Sequence, residues 1–204
     1  MDISNDKTIY KCPQCGELSG SYQLISTNTL GARIYSDGYT SGVMYEESPV
    51  ITKCIKCNKI YWLDKNIIGE YNMYLTKNTE WQKAPDPEEL ESDDLITALN
   101  DKIYSNKEEE LYLRYQLWVY LNREELNKDK QAFYESNCKE LIKLYNMEDI
   151  DEKLRIAELY RNIGNFAECV KILEAINDKD YSQTKELLLE ECKKENRETI
   201  KITK

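Results

Sequence analysis

Histidine is absent from this chain of 204 residues. That absence excludes His-dependent triads, imidazole general bases and His-ligated metals together. Any catalysis would have to rest on carboxylates, lysine, tyrosine or cysteine. Long apolar runs are also missing, so nothing in the sequence is long enough to span a bilayer. The first residues, Met1-Asp2-Ile3-Ser4-Asn5-Asp6-Lys7, are acidic and polar, where a secretory signal needs a basic head and an apolar stretch. Acidic pairs such as Glu46/Glu47 and Asp93/Asp94 come without a Gly-rich phosphate loop or a nucleophile motif. Sequence neighbours do not face each other on a helix, so these pairs do not make an acid–base couple. The expectation is a non-enzymatic, cytoplasmic protein with no membrane segment.

What the chain does have is charge. It is 32% charged and 41% hydrophobic, with a net charge of −10. Residues 1–80 are almost balanced, with 8 Lys/Arg against 9 Asp/Glu, while residues 81–204 carry 20 against 29. An acidic C-terminal part repels a nucleic-acid backbone, because binding there needs cations that displace counterions.

Seven cysteines are present, an odd number that fits a reducing compartment better than a disulfide scaffold. Four of them form two pairs, Cys12-Pro13-Gln14-Cys15-Gly16 and Cys54-Ile55-Lys56-Cys57-Asn58. A C-x2-C turn brings two sulfurs to one side, and two such turns in one small domain read as a four-thiolate zinc site. Gly16 and Asn58 stand where a knuckle needs a left-handed residue. A redox dithiol would need one pair to open a helix in a βαβ unit, and ordinary buried cysteines remain the plain alternative. The expected cofactor is one structural Zn²⁺ on Cys12, Cys15, Cys54 and Cys57, with no coordination position left for water. Cys138, Cys169 and Cys192 fall in helical apolar patterns and read as small buried hydrophobes.

The texture changes near residue 80. Before it, Ser21 to Thr27 alternates as a strand, and residues 32–45 read as a hairpin with Asp37-Gly38 at its turn. Pro49 to Thr52 and Ile60 to Leu63 flank the second cysteine pair as strands, with Trp62 expected under the metal. Pro85 and Pro87 then interrupt regular structure. The spacing predicts about six helices, over 93–102, 107–125, 130–146, 152–163, 165–176 and 181–196, with residues 200–204 as a frayed tail. The fold class is α+β: a small antiparallel β zinc ribbon over 8–80, a linker at 81–87, and an α-helical repeat-like domain over 88–199.

Residues 153–176 place Ile156, Ala157 and Tyr160 on one helix and Cys169, Leu173 and Ile176 on the next, across a Gly164-Asn165-Phe166 turn. This segment resembles one tetratricopeptide repeat, in which small residues let two helices approach closely. Residues 107–146 form a further helix pair in which Tyr112, Tyr115, Trp118 and Tyr120 replace the small residues. A helix apolar over so much of its circumference reads as central and buried. The whole chain resembles bacterial proteins, themselves without an assigned activity, that join an N-terminal CPxCG zinc ribbon to a tetratricopeptide-like part. Cys12 to Gly16, Asn28 to Ala32, Ser36 to Gly38, Pro49, Cys54 to Cys57, Trp62 and Leu113 to Trp118 carry the likeness. The resemblance implies a domain plan and no activity.

Two roles follow as expectations. The first is a zinc-binding adaptor whose helical part takes a protein or peptide. The second is a nucleic-acid-associated protein using the lysine and aromatic face of Lys53, Lys56, Lys59, Tyr61 and Lys65, with bases stacked on the rings.

Overall fold

In the computed structural model of this protein, the described residues are 2–26, 31–42 and 48–202. Among them, antiparallel sheets come first and seven α-helices follow, so the chain is α+β. Its contacts divide it into two compact units. One holds residues 1–32 and 42–103, the other residues 33–41 and 104–204.

The first unit is built on strand β1 (Asp2–Lys11), which pairs on one side with β2 (Leu18–Ser26) and on the other with β7 (Ile67–Asn72), both antiparallel. Neither β1 nor β7 stands out in the sequence, because polar residues dilute their alternation. The side chain of Ile9 is fully buried and packs with Tyr71, Ala84, Leu18 and Trp81. Trp81 belongs to the short helix α1 (Thr79–Gln82), and its indole lies close enough to Gly69 that a Cβ there would sit 2.6 Å from the ring.

A second small sheet pairs β5 (Ile51–Lys53) with β6 (Ile60–Trp62). Helix α2 (Ser92–Asn100) is anchored to it: Lys53 forms an ion pair with Asp94 at 2.7 Å, and the Thr52 hydroxyl donates to the Glu88 carbonyl at 2.8 Å. The sequence assigns the cap of this helix to Ser92. The structure puts Glu91 at the N-cap and buries Ser92, while the Glu91 amide donates to the Asp94 carboxylate.

The second unit contains α3 (Lys107–Leu121), α4 (Lys128–Leu144), α5 (Ile150–Asn162), α6 (Phe166–Glu174) and α7 (Ser182–Lys193). Asparagine or aspartate side chains cap four of the five: Asn106, Asn127, Asp149 and Asn165 each accept from amides of the first turn. Such caps satisfy donors that have no partner inside the helix. Consecutive helices pack on one another from α3 to α7. Leu113, Leu117, Trp118 and Leu121 of α3 are buried, together with Leu141, Ile156, Leu159, Leu173 and Leu188.

The hairpin moves from its expected place. Strands β3 (Arg33–Ile34) and β4 (Thr40–Ser41) group with the helices rather than with the cysteines. Residues 43–45, expected in its second strand, lie outside the described residues, and Thr40–Ser41 does the pairing. At the turn only Gly38 takes a positive φ, of 84°. Asp37 instead turns its fully buried carboxylate onto Arg123 at 2.8 Å and Asn122 at 3.0 Å. The Arg123 guanidinium stacks on Tyr39, 3.9 Å from the ring centre.

The tail, expected to fray, is pinned through residue 202. Lys201 bridges to Tyr35, the Ile202 amide donates to the Ile34 carbonyl at 2.8 Å, and the Ser36 amide donates to the Ile200 carbonyl at 2.8 Å. Beneath it lies a buried polar network. Glu158 and Arg161 are both 0% exposed and pair at 2.6 Å, and Ser36 donates to Glu158 at 2.6 Å. Arg161 also donates to the carbonyls of Asn196 and Glu198. Asn162 accepts from the Trp118 indole at 3.0 Å and donates to the Arg197 carbonyl at 2.7 Å. Tail, hairpin, α3 and α5 thus share one set of hydrogen bonds that no sequence pattern announces.

Removing one partner of a buried pair leaves the other charge uncompensated, at a cost of about 3–5 kcal/mol. Glu158→Ala should therefore destabilise the helical unit by that amount, seen as an earlier helical transition in urea. A loss under about 1 kcal/mol, the size of an exposed pair, would contradict the reading of this network.

Candidate metal centre

The two C-x2-C turns are built alike. After Cys12, the Gly16 amide returns to the Cys12 carbonyl at 3.0 Å, and the Cys12 amide bonds the Glu17 carbonyl at 2.8 Å. After Cys54, the Asn58 amide returns to the Cys54 carbonyl at 2.9 Å, and the Cys54 amide bonds the Lys59 carbonyl at 2.9 Å. Each loop closes through a left-handed residue, Gly16 at φ 77° and Asn58 at φ 58°. Glycine adopts that conformation freely, and asparagine tolerates it better than most side chains. The first knuckle joins β1 to β2, and the second joins β5 to β6, so each is held by a strand on both sides.

Together the knuckles place the sulfurs of Cys12, Cys15, Cys54 and Cys57 within 4.8 Å of one another. Cys12 lies 3.6 Å from Cys57, and Cys15 lies 3.5 Å from Cys54. Both distances far exceed a disulfide bond of about 2.05 Å. They lie close to the edge of a tetrahedron, about 3.8 Å, that follows from a metal–sulfur bond of about 2.3 Å. The donor set therefore fits a four-coordinate metal ion. All four positions come from the chain, which leaves none for water or substrate.

Electrostatics favour a cation at the centre. Burial pushes the Cys12 thiol up, but the amides of Cys15 and Gln14 and the thiols of Cys54 and Cys57 outweigh it, bringing the group down to about 7. At Cys57 the Lys59 amide pulls down, while burial and the three neighbouring thiols push up more strongly, to about 12. The first thiolate in such a group makes the next harder to form. A divalent ion removes that opposition and releases the protons.

The surroundings are apolar on one side and braced on the other. Tyr10, Tyr61 and Leu63 pack with Cys12, Cys54 and Cys57. The Tyr61 hydroxyl lies 3.4 Å from the Ser19 hydroxyl. Across the outer face, Lys56 and Glu17 join the two knuckles through an ion pair at 3.0 Å. Tyr61, rather than Trp62, packs at the cysteines, and the Trp62 indole donates instead to the Ile103 carbonyl at 2.8 Å. Tyr10 and Glu17 are the members that sequence reasoning missed. Glu17 is detectable only as the residue after the knuckle glycine, opposite a lysine in the second knuckle.

The lysine and aromatic face is distributed differently from the sequence expectation. Lys53 is paired with Asp94 and Lys56 with Glu17. Lys65 lies over the Trp62 ring, 5.6 Å from its centre, and Lys59 is exposed at the end of the knuckle. Tyr61 is only 5% exposed, so its ring offers no surface to a base.

No protein-family model, curated protein or solved structure matches this chain. Among the described residues, no helix is long and apolar enough to cross a membrane.

Cys15→Ser and Cys57→Ser each remove one of four ligands. Both variants should lose the metal and the dispersed amide resonances of residues 10–26 and 48–65, while those of residues 33–41 and the helical circular dichroism change little. Collapse of the helical signal along with the sheet would contradict separate stabilisation of the two units.

Proposed function

We propose that this chain is a non-enzymatic zinc-binding interaction protein: a structural four-cysteine zinc ribbon in one unit, and a helical domain that binds a protein or peptide in the other. The observation that carries the reading is the closed sulfur-only cluster of Cys12, Cys15, Cys54 and Cys57. Four thiolates in a tetrahedral arrangement suit zinc, and a zinc ion with no open position supplies stability rather than Lewis-acid chemistry. The protein's own part is to deliver the four sulfurs from two rigid knuckles and to shield them with Tyr10, Tyr61 and Leu63.

The serial packing from α3 to α7, with the close α5–α6 pair around Ala157 and Cys169, supports a tetratricopeptide-like interaction surface. The pairing of Lys53 and Lys56 with carboxylates weighs against phosphate binding at the ribbon.

The test is affinity capture with the zinc-loaded full chain from the lysate of its source cell, with and without nuclease. The reading predicts a defined protein partner that survives nuclease and is lost when surface residues of α3–α7 are changed. Partners that vanish with nuclease, or recovery of nucleic acid alone, would overturn it in favour of the ribbon face.

A further inference from the structure

Three cysteines lie outside the metal centre, and two of them meet. Cys169 on α6 and Cys192 on α7 place their sulfurs 3.2 Å apart, with Cys192 donating to Cys169. They are 0% and 5% exposed, where the last two helices meet. Cys138, the third, is also fully buried, and no other cysteine sulfur pairs with it among the described residues.

Two ordinary buried hydrophobes would need no such approach. A separation of 3.2 Å is inside the usual contact distance of two sulfurs and leaves little more than 1 Å to travel to a bond of about 2.05 Å. The charged pair of α5 lies beside them. Burial pushes the Cys192 thiol up, while its contact with Cys169 and the Arg161 guanidinium pull the other way and Glu158 opposes them. Burial and the neighbouring thiol hold Cys169 above its ordinary value, with the Arg161 charge pulling against them. Cys192, the more exposed of the two, is the sulfur that a small oxidant reaches first.

We infer that Cys169 and Cys192 form a redox modification site: a dithiol that closes to a disulfide between α6 and α7 and is reopened by thiol reductants. The oxidant that fits a seam this tight is a small peroxide. When α7 opens and water reaches it, the Cys192 thiol loses its proton and the thiolate attacks one peroxide oxygen; the O–O bond breaks, and the leaving hydroxide takes up that proton as water. Cys169 then attacks the sulfur of the resulting sulfenic acid. The S–S bond forms, the S–O bond breaks, and a second water departs with the thiol proton. Two thiols and one hydrogen peroxide thus give one disulfide and two waters. The bond ties α7, which leads into the tail pinned by Arg161, to the α5–α6 pair. Because both thiols are buried, the reaction proceeds through transient opening of this terminal helix, and its rate follows that opening.

The test uses the full chain with zinc bound, so that the metal protects the four ribbon cysteines, treated with stepwise hydrogen peroxide. Peptide mapping by mass spectrometry under non-reducing conditions reads the product. The expected result is a 169–192 cross-link that forms before Cys138 is modified and disappears with dithiothreitol. The helical melting midpoint should rise by several degrees in the oxidised protein. Cys138→Ala should leave the cross-link intact, and Cys192→Ala should abolish it while keeping the helical spectrum. Free thiols at Cys169 and Cys192 after Cys138 has oxidised would overturn the inference. So would a cross-link that forms only in urea.

Discussion

Four sulfurs held within 4.8 Å have no comfortable state of their own. As thiols they crowd one another and waste their donor capacity, and as thiolates they repel. A divalent cation at the centre would resolve both problems, and the two knuckles of the first unit bring together the four sulfurs that could hold one. Its two knuckles interrupt different sheets, and the apolar cluster that would otherwise be thin is Tyr10, Tyr61 and Leu63 closed over the cysteines. A small β unit buries too little apolar surface to be secure without such a tie. Gly16 and Asn58 take left-handed conformations because each loop doubles back to the carbonyl of its first cysteine.

The second unit meets a different difficulty. Its helices are acidic and richly polar, and the centre of the bundle contains a charged pair that is 0% exposed. Burying ions is costly unless every donor and acceptor is used. Here the remaining donors of Arg161 are used by carbonyls of the tail, and Glu158 accepts from Ser36 of the hairpin. The charge therefore specifies which peripheral segments belong to the bundle. Asp37, next to Ser36 in the same turn, does the same with Arg123, again with the acid fully buried.

How far the sequence revealed this depends on whether a feature is local. The two cysteine pairs and the left-handed residues after them are decided within a few residues, and they were legible. A polar residue before each helix marks Asn106 and Asn165 correctly, but the cap of α2 is Glu91 rather than Ser92 and that of α4 is Asn127 rather than Asp129. Features decided by partners far along the chain were not. Residues 33–41 look like part of a β-rich N-terminal third, yet Asp37 finds Arg123, and Ser36 finds Glu158 and the tail. Helix α2 follows the prolines, and its alignment with the earlier sheet depends on Lys53 meeting Asp94. Lys53 and Lys56 read as part of a cationic face because their acidic partners, Asp94 and Glu17, are remote in sequence. The Cys169–Cys192 contact was hidden for the same reason, since each cysteine alone fits an apolar helix pattern.

We propose the cysteine cluster as a closed structural zinc site. The most direct measurement is zinc K-edge X-ray absorption on the purified full chain, combined with metal analysis of the same sample. The predicted result is one zinc per chain with four sulfur neighbours at about 2.3 Å and no oxygen or nitrogen in the inner shell. A chain that folds its sheet without metal, or a zinc that keeps an oxygen ligand, would contradict it.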